Sequence, residues 1–281
     1  EQYKDEWTAP DNIQTNGPYR PIEWNKKTGI FLKKNQNYFA ADKITVPEMR
    51  YLVISQGAVG MAMYENDELD FMGGRYLPIP ISAVSDIRKG PLRNEYQKVP
   101  AACTYTCLFN TEVPPLDNPL VRKAISAAID RRLLIDAARS GLGEPAVSCL
   151  PPLLKNLSVA AEPNEEEGIF DNEQAEIWLV EAGYPNGEGF PELILVTEQS
   201  EDDQGIARGI KTMLEYYLHI SVTILPQKKE ETPVVDAAAP YMTMLRLCSE
   251  YPLPNSILEK IGKKTSWVNS TFDELIETAR Q

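Results

Sequence analysis

Four cysteines, a single histidine and an excess of acids are the side chains on which chemistry could rest. Cys103, Cys107, Cys149 and Cys248 show no Cys-x-x-Cys spacing, so a zinc ribbon is not expected. Cys103 and Cys107 fall in a stretch of strand character; they share a face yet lie too far apart to bridge each other. The residues alone leave two readings: four buried thiols, or one or two long-range disulfides in an oxidising compartment. His219 closes an amphipathic helix and reads as a partly exposed helix-end residue, not a base. With no second histidine, His-pair mechanisms and His-rich metal sites are excluded. Gly-x-Ser-x-Gly, Ser-x-x-Lys, His-Glu-x-x-His and Walker patterns are all absent. Gly141-Leu-Gly-Glu-Pro-Ala146 matches a loose Gly-x-Gly-x-x-Ala, but it follows a helix and contains Pro145, so it reads as a helix stop. Glu165-Glu-Glu-Gly168 lacks the alternating ligands of a calcium loop and reads as a solvated acidic loop. These patterns predict neither an enzyme nor a cofactor nor a bound metal.

The chain of 281 residues is long enough for one large or two smaller domains with a sizeable core. Its hydrophobic share of 43% and charged share of 25% are those of a globular protein, not of a collagen-like or disordered one. Lys and Arg number 28 against 41 Asp and Glu, a net charge of −13, which argues against nucleic acid as a partner. No stretch approaches the ~18 apolar residues of a membrane span. The opening Glu1-Gln-Tyr-Lys-Asp-Glu-Trp7 has neither an apolar segment nor an initiator Met, so the start reads as a processed or trimmed boundary.

Around the Asn16-Gly17-Pro18 turn signal, Trp7, Tyr19 and Trp24 suggest a packed aromatic edge. Strands are predicted at 28–33, 50–55, 68–72 and 98–110, with a short helix at 56–66. One helix is predicted from Pro119 to Ser140, capped by Asp117 or Asn118 and stopped by Gly141. Its apolar face runs through Leu120, Val121, Ala124, Ile125, Ala128, Ile129 and Leu133. From Asp171 onward, helices and strands alternate: a helix face at Ala175, Trp178, Leu179 and Ala182, a strand at 192–197, and a helix face from Ile206 to Tyr217. A strand follows at Ile220, Val222 and Ile224, another at 241–247, and a last helix opened by a capping box at Thr271–Glu274. Such alternation predicts an α/β layered architecture.

Several segments together resemble one family, the family 5 solute-binding proteins of peptide-class ABC importers. They are Thr15-Asn-Gly-Pro-Tyr19 with Trp24, Asn35-Gln-Asn-Tyr38, and Asn66-Asp-Glu-Leu-Asp70, which is similar to the family's "sGeiD". Further on stand Phe109-Asn110, Pro114-Pro-Leu-Asp-Asn-Pro119 with the helix to Arg132, Glu181-Ala-Gly-Tyr-Pro-Asn-Gly187 on to Glu192, and Phe272-Asp-Glu-Leu275. The resemblance spans nearly the whole chain. It implies a bilobal, type II periplasmic-binding-protein-like fold. This chain would be an incomplete fragment of it, with residues 1–104 the later part of lobe one and 105–281 most of lobe two. An isolated fragment of that kind should bind ligand poorly and tend to self-associate.

The same resemblance implies a function without chemistry: capture of oligopeptides or a related small solute in an interlobe cleft that closes by hinge rotation. The closed form would dock on a membrane ABC permease, in the periplasm or at the cell surface, with a lipid anchor on the full-length protein. A ligand-sensing or regulatory domain using the same fold is the alternative. Carried onto this sequence, the family's site falls on Arg246, Leu247, Cys248 and Glu250, the last at the acidic ligand anchor that is usually Asp. Gly73, Gly74 and Arg75 fall on the cleft segment after Asp70. Arg246-Leu247 replaces the family's usual Gly-Trp pair. The resemblance also implies a Cys103–Cys248 disulfide, with Cys107–Cys149 a weaker second pair.

Overall fold

A hairpin turning at 26–28 opens the structure. The computed structural model describes residues 6, 8–74, 77–155, 170–228, 235–236, 238–251, 253–264 and 269–279. Two compact units divide the chain, residues 1–84 and 85–281.

In the first unit, β1 (Tyr19–Asn25), β2 (Gly29–Lys34) and β3 (Glu48–Leu52) form an antiparallel meander in that order. Asn25 Oδ1 accepts the Lys27 N–H at 2.9 Å and shapes the hairpin turn. Buried Asn35 ties together two of the segments that carried the resemblance: its Nδ2 donates to the Gly17 carbonyl at 3.0 Å, and its Oδ1 accepts the Asn37 N–H at 3.0 Å. Tyr19 and Trp24 lie on β1, but Trp24 is 42% exposed, so the expected aromatic edge is not packed; Trp7 lies outside the described residues. Helix α1 (Gly57–Glu65) forms as predicted. The strand expected at 68–72 does not: Asp67 is left-handed (φ 60°), and among the described residues the only pairing nearby is an isolated bridge between Gly73 and Leu77. An extended segment without a neighbour to share its hydrogen bonds is not a strand. Helix α2 (Ile81–Lys89), unread in the sequence, contains the division between the units.

The second unit is built on a four-stranded sheet of order β4–β7–β5–β6: β4 (Cys103–Phe109), β5 (Leu193–Glu198), β6 (Val222–Gln227) and β7 (Tyr241–Cys248). β5 pairs parallel to both β6 and β7, whereas β4 runs antiparallel to β7. β4 is shorter than predicted because its partner β7 ends at Cys248; only the Ser249 N–H to Ala102 carbonyl bond extends the pairing. β5 is almost wholly buried, as befits a parallel central strand. Against one face lie α3 (Pro119–Ala127), α4 (Arg131–Arg139), α6 (Asn172–Glu181) and α7 (Glu201–Tyr217), enclosing a core of Leu116, Val121, Ile125, Leu195, Leu214 and Met242 with their neighbours. The other face holds a smaller cluster of Leu154 from the one-turn helix α5 (Pro152–Lys155), Leu247 from β7, and Ile257 from α8 (Asn255–Lys264). Helix α9 (Ser270–Thr278) closes the chain.

The helix predicted over 119–140 is two helices. Asn118 caps α3, accepting the Leu120 N–H at 2.9 Å. Asp130 then leaves the helical region (φ −71°, ψ 96°) and caps α4 by accepting the Leu133 N–H at 2.9 Å. Arg131 reaches back to the Ser126 and Ile129 carbonyls at 3.1 and 3.2 Å, meeting acceptors that the break would strand. Ser140, in a left-handed conformation, ends α4 one residue before the expected Gly141. The cap of α9 is Asn269, which accepts the Phe272 N–H at 3.0 Å, not Thr271. His219 follows α7, left-handed and exposed. The Ala-Gly-Tyr-Pro-Asn-Gly segment packs on that helix end: a β-carbon on Gly187 (φ 73°) would meet the His219 and Leu218 carbonyls at 2.6 and 2.7 Å.

Candidate functional site

Because β5, β6 and β7 are parallel, their carboxyl ends gather at one end of the sheet, where loops of α/β domains receive ligands. Glu250 stands just past the end of β7, with its side chain 72% exposed. Its backbone is held from α8: the Glu250 N–H donates to Ser256 Oγ at 3.0 Å, and Ser256 is buried. Lys260, one helical turn further along α8, donates from Nζ to the Cys248 carbonyl at 2.8 Å and pairs with Glu250 Oε1 at 2.9 Å. Ser249 adds a hydroxyl bond to the Tyr251 carbonyl, so successive residues after β7 are each fixed.

Beside this turn, Cys103 and Cys248 are register partners and form a disulfide, with Cα atoms 4.0 Å apart. The second pair does not form: Cys107 and Cys149 are both free thiols. Cys107 faces Met244 in the same ladder, and no register brings Cys149 to it. Burial pushes the Cys107 thiol up to about 12, against a smaller opposing pull from Arg131. Burial also raises the Cys149 thiol. Neither is primed as a nucleophile.

Arg246 is exposed and pairs in register with Tyr105, its guanidinium 5.9 Å from that ring. Arg139 approaches the same ring at 5.5 Å while bonding Asp202, in the first turn of α7, at 2.7 Å. Burial raises the Tyr105 phenol, opposed chiefly by Arg139. Ser200 caps α7 and its hydroxyl also bonds the Asp203 carboxylate. Arg246, Cys248 and Tyr105 therefore share the main-core face of the sheet, whereas Leu247 turns to the opposite face and is buried with Leu154 and Ile257. Gly73 and Gly74, in the first unit, have φ of 128° and 72° with open space where a β-carbon would stand; they serve the turn's backbone. Arg75 lies outside the described residues.

Lys260 and Ser256 were not legible from the sequence. Their types are ordinary for a charged surface helix, and nothing in their spacing from Glu250 announces contact. Elsewhere, an open apolar groove of about 380 Å³ in the first unit is lined by Leu52, Val53, Ile54, Val59, Met63 and neighbours, and by none of the residues above. Among the described residues, no three His, Cys, Asp or Glu side chains gather to hold a metal ion. None of the described helices is long and apolar enough to cross a membrane.

Comparison with known proteins agrees with this architecture. The family described as bacterial extracellular solute-binding proteins, family 5 Middle, matches residues 1–269. The periplasmic oligopeptide-binding protein OppA of Salmonella typhimurium is 30% identical over 291 aligned positions, covering 98% of this chain and 51% of its own length. The oligopeptide-binding protein OppA of Bacillus subtilis is 28% identical over 223 positions, 77% of this chain and 39% of its own. A crystal structure of a periplasmic oligopeptide-binding protein from Borrelia burgdorferi superposes with a TM-score of 0.72 at 25% identity, covering 99% of this chain and 55% of that one. The chain thus spans about half the length of the relatives it matches. These relatives are substrate-binding proteins, not enzymes.

Proposed function

The chain belongs to the family 5 bacterial extracellular solute-binding proteins, and from that premise we propose that it captures a short peptide, or a related solute with a positive end, for an ABC importer. Glu250 receives the ligand's α-ammonium. One observation carries this reading: a carboxylate largely open to solvent, at the carboxyl end of a parallel strand, on a backbone fixed by Ser256 and by the neighbouring disulfide. Its Oε1 is paired to Lys260, so the ligand's ammonium meets the carboxylate in exchange for a charged partner already there. Charge-assisted bonds are roughly twice as strong as neutral ones, which suits a terminal amine met outside a dry core. No covalent step is needed; ligand binding shifts an open–closed equilibrium and the closed form meets the permease. The exposed Arg246 is a further ligand-facing position, and Leu247 and Cys248 contribute main-chain groups.

The test is calorimetry on the full-length protein with a pool of short free-amine peptides and the same pool N-acetylated. Glu250→Gln keeps the shape and removes the charge. Affinity for the free-amine pool should fall about tenfold or more, with little change for the acetylated pool. Equal losses for both pools, or none, would refute the assignment.

A further inference from the structure

Lys260 places an ammonium where the ligand's own ammonium is expected. Its Nζ sits 2.9 Å from Glu250 Oε1 and 2.8 Å from the Cys248 carbonyl, and its side chain is 31% exposed. Lys260 is one of several groups that hold the backbone carrying Glu250. That backbone is also held by the Ser256 hydroxyl, by the Ser249 N–H to Ala102 carbonyl bond, and by the Cys103–Cys248 disulfide. Removing Lys260 leaves those three restraints in place and takes away its charge and its bond to the Cys248 carbonyl. A pair this exposed adds little to stability, but its ammonium offsets the negative charge that an incoming cation meets at the anchor.

We propose that Lys260 is an internal counter-ion that the ligand's positive end must displace, and so a specificity-determining residue of the Glu250 site; the inference rests on the reading of Glu250 given above. A ligand with a concentrated positive charge can compete for the carboxylate. A neutral hydrogen-bond donor gains too little to displace an ammonium already in place, so Lys260 raises the threshold against uncharged ends. The helix α8 that positions Glu250 through Ser256 thus also carries the group that screens it.

The experiment compares the full-length protein with Lys260→Met, Lys260→Arg and Glu250→Gln, using the free-amine and N-acetylated peptide pools. Lys260→Met should tighten binding of the free-amine pool by roughly two- to five-fold, the range of an exposed ion pair. That gain should shrink as salt is raised. The acetylated pool should tighten by at least as much, because its neutral end then meets a carboxylate with no ammonium in place, and Lys260→Arg should restore the parent affinity for both pools. Unchanged or weaker free-amine binding in Lys260→Met, with Glu250→Gln still showing its selective loss, overturns the inference while leaving the anchor intact. If Glu250→Gln shows no selective loss, or neither pool binds the parent protein, the anchor itself falls and this inference with it. Should Lys260→Met not fold, Lys260→Gln carries the same test. Failure of both to fold also overturns the inference, because it requires a backbone held without Lys260.

Discussion

Replacing both Cys103 and Cys248 by alanine should cost the second unit much of its stability without changing its fold. The bridge joins residues 145 apart in sequence. Closing a loop of that length removes about 5 kcal/mol of chain entropy from the unfolded state, a ceiling from which residual denatured structure subtracts; we expect a measured loss of roughly 2–5 kcal/mol. The strands themselves should survive, because β4 and β7 remain paired from Thr104–Leu247 through Phe109–Met242. Amide hydrogen exchange across β4 and β7 in a urea series reads this unit alone, and the reduced parent protein should match the double variant. A loss below about 1 kcal/mol, or a parent indifferent to reductant, would refute the entropic reasoning.

Asp130→Ala should cost about 1 kcal/mol in chemical denaturation by uncapping α4, whereas Asp130→Asn should stay near the parent. Gly187→Ala should cost roughly 2–3 kcal/mol in thermal unfolding, since its new methyl would meet two carbonyls of the α7 end at a backbone angle few residues adopt. In denaturant without reductant the chain should titrate two thiols, rising to four after reduction. The Cys107 thiol keeps its proton in the native state up to about 12 but loses it near its ordinary 9.0 in the unfolded chain. Stability is therefore unaffected by this group below pH 9 and falls as pH rises from 9 towards 12; Cys107→Ala should flatten that decline in a pH series of urea midpoints.

The parts of the fold written in caps and apolar spacing were legible. Asn118-Pro119 before a stripe from Val121 to Ile125 could only open a helix, and the buried run of β5 between turn signals read directly as a strand. The break at Asp130 was hidden because the apolar spacing continues through Ile129 and Leu133, and because Arg131 repairs the freed carbonyls by side-chain bonds that no periodicity reveals. β1 was missed since its exposed residues and Pro21 show no alternation. The segment at 68–72 had strand-like residues but no partner. In the site, the cysteines by themselves left pairing open; the resemblance named Cys103 and Cys248, and the antiparallel register of β4 and β7 sets them side by side. Ser256 and Lys260 stayed invisible because contact between a turn and the following helix is a product of chain geometry, not of residue type.

The central claim is that this protein captures a ligand by its positive end at Glu250. Native mass spectrometry of the full-length protein, purified from its host without ligand exchange, tests it most directly. The account predicts a bound species of short-peptide mass that carries a free amine, released on denaturation, and lost from Glu250→Gln prepared in the same way. A bound solute with no positive group, retained equally by parent and Glu250→Gln, would contradict it.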